Sequence, residues 1–416
     1  MGRMDPVLQL TKTWGIGIDP RNKRTAQVAG MMMTGIGRLG LALAFSVLAM
    51  APSASQSQEP RPEEARLRAE VKTLASPAFA GRSGEGGRKT AQHLVEAFRA
   101  LKLEPLFDGQ YTQPIPDNEP GRILGQNVGA RIVGSDPKLR DEWIVLAAHF
   151  DHLGVREGRL YPGADDNASG VAMMLEVARA IAQSPEASKR SLMFIGFDLE
   201  EIGLYGSRYF VEHSPVPLKQ ISLFITADMI GRSLGGVCDP YVFVMGSEHA
   251  PGLRPWIDQA AKERPLKVGM LGTDLLVLDR SDYGPFRARE IPYLFFSTGE
   301  NPTYHTPDDR PETLNYPKLE AISQVIHKLV LQAASAPTMP TWIQAPENTI
   351  GEVATVRDIL RSLLENQEMF KIGVAQLYLL NNTVRTLDAI VERGSITSTE
   401  RATMVNVARL VLITIL

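Results

Sequence analysis

Residues 143–182 read WIVLAAHFDHLGVREGRLYPGADDNASGVAMMLEVARAIA. The first six residues are apolar without a break, as in a central strand covered on both faces, and Asn167–Ala182 keeps the apolar spacing of a helix. Between them lie HFDHLG at 149–154 and GADDNASG at 163–170. A buried strand that feeds a helix through a polar loop is the repeating unit of an α/β fold.

The same pattern continues on either side. Gly125–Val133, Ser191–Phe197, Ile221–Ala227, Tyr241–Gly246 and Ile291–Ser297 read as strands. Ala65–Leu74, Gly203–Val211 and Pro317–Ala333 read as helices, and Ala91, Leu94, Val95 and Phe98 mark one face of another. Strands alternating with helices predict a three-layer α/β/α sandwich with a mainly parallel mixed sheet. Sites in such sheets form at the carboxyl ends of strands. His149 ends one predicted strand, Asp198–Glu201 (in DLEEIGLYGS, 198–207) end another, Asp228 (in ADMIGR, 227–232) a third, and His305 (in YHTPDD, 304–309) follows the last.

The 416 residues carry a net charge of −3, with 44% apolar and 22% charged residues, the composition of an ordinary globular protein. No Lys/Arg-rich stripe rises above that background, so a nucleic-acid partner is not expected. Cys238 is the single cysteine; a disulfide within the chain and a cysteine-ligated zinc are therefore excluded, and any metal must be held by His and carboxylate.

At the N-terminus, Arg38 precedes the small and apolar run Leu39–Ala51, followed by Pro-Ser-Ala-Ser, the layout of a secretory signal too short to span a membrane comfortably. Residues 31–55 are read as a signal peptide, 1–30 as an upstream extension and 56–63 as a linker. These readings point to a periplasmic or secreted protein with no stable membrane span once the signal is cleaved. Residues 64–335 are then read as the main domain. A Pro-rich linker at 336–349 precedes a helical extension at 350–416, whose apolar spacing at Val356, Ile359, Leu360, Leu363 and Leu364 suits packing on the main domain or pairing in a homodimer. The Gly-rich turn GRSGEGG at 81–87 lacks both the preceding strand and the Gly-Lys-Ser/Thr ending of a phosphate loop, so its role is structural.

Asp151, Asp165, Asp166, Asp198, Glu200, Glu201 and Asp228 would crowd one rim of the sheet. Packed carboxylates in a dry cleft call for a cation or a shared proton. His149 and His305 add nitrogen ligands, which favour zinc over calcium or magnesium.

The series HxDHLG, GADDNASG, EE-x-GL-x-GS, DMIG and YHT-x-x-D, in this order, resembles the co-catalytic zinc aminopeptidases akin to bacterial leucyl aminopeptidase and aminopeptidase Y, over about residues 64–335. The resemblance implies two zinc ions and hydrolysis of peptide or protein N-termini. Asp165 would bridge the ions, with His149 and Asp228 completing one and Glu201 and His305 the other. It implies further that Glu200 is the general base, that Asp151 orients the His149 imidazole, and that the Asp165–Asp166 peptide is cis. His93, His152, His213, His249 and His327 are left as non-ligands. Ser281-Asp282-Tyr283 stands where relatives often have Ser-Asp-His. Other reactions on the same scaffold, carboxypeptidase or glutaminyl cyclase, and a non-catalytic receptor-like binding module are the alternatives.

Overall fold

A computed structural model describes residues 60–117, 119–276, 279–347 and 349–415. The expected extension at 1–30 and signal peptide at 31–55 lie outside the described residues, as do residues 56–59 of the 56–63 linker. In chain order the helices are α1 (Glu64–Leu74), α2 (Glu85–Ala100), α3 (Gly170–Ala182), α4 (Tyr205–Glu212), α5 (Arg254–Ala261), α6 (Thr273–Leu276), α7 (Tyr283–Arg287), α8 (Tyr316–Ser335), α9 (Ile350–Glu365), α10 (Val374–Arg393) and α11 (Ser398–Ile415). The strands are β1 (Glu104–Pro105), β2 (Thr112–Pro116), β3 (Ile123–Ile132), β4 (Trp143–His149), β5 (Val155–Arg156), β6 (Arg159–Leu160), β7 (Ser191–Phe197), β8 (Ile221–Ala227), β9 (Tyr241–Met245), β10 (Lys267–Met270) and β11 (Tyr293–Ser297).

Nine strands form one sheet in the order β1-β3-β7-β4-β8-β11-β9-β10, with β2 also on β3, while β5 and β6 pair separately. The centre is parallel: β4 pairs with β7 and β8, and β8 with β11. Antiparallel pairing enters outside it, at β3 on β7 and β9 on β11. Every residue of β4 and β7 is buried. Alternate side chains serve opposite faces: Ile144, Leu146 and Ala148 pack toward α1, α2, α3, α5 and α8, and Val145 and Ala147 toward α4, α7 and the C-terminal helices. The expected three-layer sandwich is the observed fold.

The chain places its carboxyl-end loops together by construction. Because β4, β7 and β8 run parallel in adjacent positions, His149, Asp198 and Asp228 emerge at one edge of the sheet. Short β1, β2 and β10 escape the sequence pattern: two residues carry no period, β2 holds two prolines, and β10 has four residues with an exposed lysine.

The C-terminal helices lay their apolar faces on the same body. Val353, Val356, Ile359, Leu360 and Leu363 of α9 join one core with Phe243 and Tyr293 of the sheet, and Leu380, Leu387, Met404 and Val411 extend it. Residues 336–349 have no regular structure but are pinned: the Trp342 ring stacks on His249 at 4.1 Å and the Ile343 amide donates to the His249 carbonyl. Among the described residues, no helix is long and apolar enough to cross a membrane.

An ion network centred on the buried Glu352 secures the extension. Arg401 of α11 donates to both oxygens of Glu352 at 2.7 Å and to both of Asp274 at 2.7 and 2.8 Å, while Glu352 also accepts the Gly272 amide at 2.8 Å. Glu352 is buried, so removing its partner strands a charge. Arg401→Ala should therefore cost about 3 kcal/mol of stability, read as a lower urea-unfolding midpoint; an unchanged midpoint would show the pair to be dispensable.

Candidate metal centre

The loops at the carboxyl edge converge on one carboxylate, and it is Asp166. His149 Nε2, at the end of β4, lies 3.5 Å from Asp166 Oδ1 and 3.4 Å from Asp228 Oδ1. On the other side His305 Nε2 lies 3.1 Å from Asp166 Oδ2 and 3.1 Å from Glu201 Oε2. Asp166 thus presents one oxygen to each of two groups, His149/Asp228 and Glu201/His305.

Asp165, the expected bridge, is turned away. Its Oδ1 accepts the Gly231 amide at 2.6 Å, and its Oδ2 faces the Asn301 side-chain amide at 3.3 Å. The cis peptide is likewise Asp166–Asn167 rather than the expected Asp165–Asp166. The amides of Asp165 and Asp166 both donate to the buried Asp309 carboxylate, at 3.0 and 3.1 Å. Asn167, whose side chain reaches the Ala227 carbonyl at 2.9 Å and the Gly170 amide at 3.0 Å, ties the turn to β8 and starts α3.

Several other residues hold this frame. Arg82, from the turn read as structural, is fully buried and donates to the carbonyls of Phe150, Pro162, Gly163 and Asp166 at 2.6–3.0 Å. Asp151 stands 3.7 Å from His149 Nδ1 and accepts the amides of Glu200 and Glu201 at 3.0 and 3.2 Å. Ser281 Oγ donates to Asp228 Oδ2 at 3.0 Å, leaving Oδ1 toward His149. Arg82, Asp309 and Ser281 were visible in the motifs, yet no spacing rule attaches a role to them. His152, set aside on sequence, is buried in the centre with Nδ1 2.7 Å from Glu201 Oε1.

Do these residues suit a metal? Ligand atoms about 2.0–2.1 Å from a tetrahedral zinc stand roughly 3.3–3.4 Å from one another. The 3.4 and 3.5 Å separations around His149 and the 3.1 Å separations around His305 match that spacing. Both His149 nitrogens and Asp228 Oδ1 are buried without a hydrogen-bond partner, a costly state that a cation would relieve. Three nitrogen or oxygen donors at each position favour zinc.

Electrostatics agree. Burial pushes Asp166 upward, aided by Glu201, and pushes Glu200 well above the usual carboxylate range. Burial likewise raises Asp165, Asp198 and Asp282 to about 7. Burial acts to lower His305, but the carboxylates of Asp166 and Glu201 outweigh it and lift the imidazole to about 10. Protons occupy in the metal-free site the place that cations take.

Residues 127–330 match the model of Peptidase family M28. They belong to that family. The chain is also similar to aminopeptidase YwaD of Bacillus subtilis (strain 168), with 29% identity over 208 residues, 48% of this chain and 43% of the relative. It is 26% identical over 249 residues to glutaminyl-peptide cyclotransferase of Boiga irregularis, covering 50% of this chain and 66% of that one. Among solved structures, BSAP, a zinc aminopeptidase from Bacillus subtilis, shares the fold with a TM-score of 0.52 and 17% identity, over 70% of this chain and 100% of that one. The chain thus spans less than half the length of the first relative and about two thirds of the second. The family segment contains all the ligand candidates from His149 to His305.

Beside the centre, Asp151, His152 and Glu201 form one wall of a cavity of about 290 Å³. Among its buried polar groups, Asp198 accepts the Gln126 and Leu199 amides, both at 2.9 Å, and Arg82 is saturated by carbonyls, whereas His152 Nε2 has no hydrogen-bond partner. Its lining is mixed, with Ile123, Leu124, Leu153, Leu199 and Ile202 beside Ser83, Arg88 and Arg156.

Two outcomes follow from this geometry. Asp166→Asn should abolish zinc binding at both positions while Asp165→Asn retains it, as measured by equilibrium dialysis; the reverse result would restore Asp165 as the bridge. Zinc affinity should also rise with pH through neutrality, because His305, with its metal-free value of about 10, must lose a proton to become a ligand. The gain is up to about tenfold per pH unit for each proton displaced, and a chelator competition at pH 6 and 8 giving equal affinities would contradict it.

Proposed function

We propose that this protein is a zinc-dependent aminopeptidase that hydrolyses N-terminal peptide bonds, using two zinc ions and Glu200 as general base. The observation that carries the proposal is the placement of Asp166, with His149 and Asp228 on one oxygen and Glu201 and His305 on the other. Membership of residues 127–330 in a peptidase family supports the reaction class.

Zinc bound at such a pair supplies polarisation of the scissile carbonyl and a lowered pKa for the attacking water. The chain's own residues do the rest. Asp151 fixes the amides of Glu200 and Glu201, so the two adjacent side chains take separate tasks. Glu201 faces His152 and His305, whereas the Glu200 carboxyl lies in the field of His149, Asp228 and Asp282. A base must hold the proton it takes long enough to deliver it, and burial that raises Glu200 favours this. Glu200 accepts the proton of the attacking water and returns it to the leaving amine. The acidic rim retains the substrate's free α-amine, and the cavity beside Glu201 has room for the side chain next to the scissile bond.

A glutaminyl cyclase reaction is the second reading, favoured by the likeness to glutaminyl-peptide cyclotransferase. The two differ in product: a free amino acid from an aminopeptidase, a pyroglutamyl peptide from a cyclase. As part of the same proposal the protein acts outside the cytoplasm, on the strength of the apolar run at 39–51 with its small-residue exit.

A panel of free-amine, N-blocked and N-terminal glutaminyl peptides, with and without chelator, tests the reading. Release of the first residue from free-amine peptides alone, lost with chelator and restored by zinc, is expected. Glu200→Gln should keep its zinc and lose turnover by at least about 10²–10⁴-fold. Cyclisation without hydrolysis, or unchanged turnover in Glu200→Gln, would overturn it.

A further inference from the structure

HFDHLG contains two histidines, and the proposed reaction uses only His149. His152 is nonetheless buried, and its Nδ1 lies 2.7 Å from Glu201 Oε1. A carboxylate only accepts, so Nδ1 carries the hydrogen and donates it. The opposite oxygen, Oε2, is the one that faces His305 Nε2 at 3.1 Å. Glu201 is thereby bracketed, one oxygen held by His152 and the other turned to the centre. The two imidazoles meet edge to face with centroids 5.8 Å apart.

The surroundings are shaped for this ring. Gly163 has φ +57°, and a Cβ there would fall 2.5 Å from His152 Cδ2 and 2.5 Å from the Arg82 guanidinium. The tightest approach is to backbone, the Asp166 carbonyl oxygen, so the turn itself closes on the position beside the ring. The His152 amide faces the Arg82 carbonyl at 3.4 Å, which ties the ring's backbone to the turn that grips Gly163 and Asp166.

Direct ligation is the competing role. A ligand pair on a tetrahedral zinc stands roughly 3.3–3.4 Å apart, whereas His152 Nδ1 is 2.7 Å from Glu201 and 3.8 Å from Asp166 Oδ2. That is a hydrogen bond to one carboxylate with the second out of reach. His305, equidistant at 3.1 Å from both, has the ligand's position.

We infer that His152 is a positioning residue for the Glu201/His305 metal position: it fixes the Glu201 carboxylate by the Nδ1–Oε1 hydrogen bond so that Oε2 is presented as a single ligand atom. The inference rests on the two-zinc reading above. Consecutive residues of one loop then serve opposite positions, Asp151 backing His149 and His152 backing Glu201. Partners that orient metal ligands typically contribute 10–100-fold, on the order of magnitude, in metal affinity.

The test is a zinc titration of the full chain against a competing chelator, resolving two dissociation constants in the wild type, His152→Ala, His152→Asn and His152→Gln. Asparagine places an N–H near the site of Nδ1; glutamine places it near Nε2. His152→Ala should weaken one equivalent about 10–100-fold and leave the other unchanged. His152→Asn should recover most of the loss and His152→Gln little of it, a rescue pattern that loss of packing alone does not produce. If His152→Ala does not fold, the difference between the Asn and Gln variants decides. Equal affinities in all four proteins would overturn the inference, as would one equivalent lost outright in every variant, the behaviour of a direct ligand. A wild type that binds no zinc is a separate result, because it removes the metal reading itself.

Discussion

Ionised carboxylates gathered out of water repel one another and lose their hydration, and this constraint governs the carboxyl edge of the sheet. Asp151, Asp165, Asp166, Asp198 and Asp282 are all buried there. The protein satisfies them unequally. Asp151, Asp165 and Asp198 each accept backbone amides, so their oxygens are used within the fold. Asp166, Glu201 and Asp228 instead turn oxygens toward imidazoles. Division into satisfied and outward-facing acids separates scaffold from candidate ligand more sharply than carboxylate count does.

That division is imposed through the backbone of residues 163–170. Arg82 grips carbonyls on one side of the turn and Asp309 accepts two consecutive amides on the other. A buried arginine with only carbonyl partners is expensive unless its donors are used, and here Nε, Nη1 and Nη2 all donate. Burial lowers its proton affinity while Asp166 and Asp309 act to raise it. The same cation that fixes the turn therefore offsets part of the acidic field around it.

Much of this was legible in the sequence. Predominantly apolar runs at 143–148, 191–197 and 221–227 marked the central strands, and parallel order put the ends of those runs together. What escaped was direction at the scale of one residue. Asp165 and Asp166 are identical in type, adjacent and both buried, so composition and spacing treat them alike; only the path of the turn between Asp309 and Ala227 separates them. His152 escaped for a related reason. Its partner Glu201 is 49 residues away in the chain and meets it only because β4 and β7 are neighbours in the sheet. The short strands β1, β2 and β10 escaped because they have too few residues to show a period.

The C-terminal helices bear on how the site edge is kept rigid. β9 and β10 extend the sheet beyond β11, the strand that leads into His305. Their inner side chains Phe243 and Met245 need cover that α4 and α7, of eight and five residues, are too short to provide. α9 packs beside β10, where Gly269 lets Thr355 approach closely, and Arg401 anchors α11 to Glu352 and Asp274 at the end of that strand. Residues 350–415 lie outside the segment shared with the family, yet they complete one of the two cores on which the sheet rests. The extension is thus a wall of the sandwich, and the strand that positions His305 derives its support from helices with no chemistry of their own.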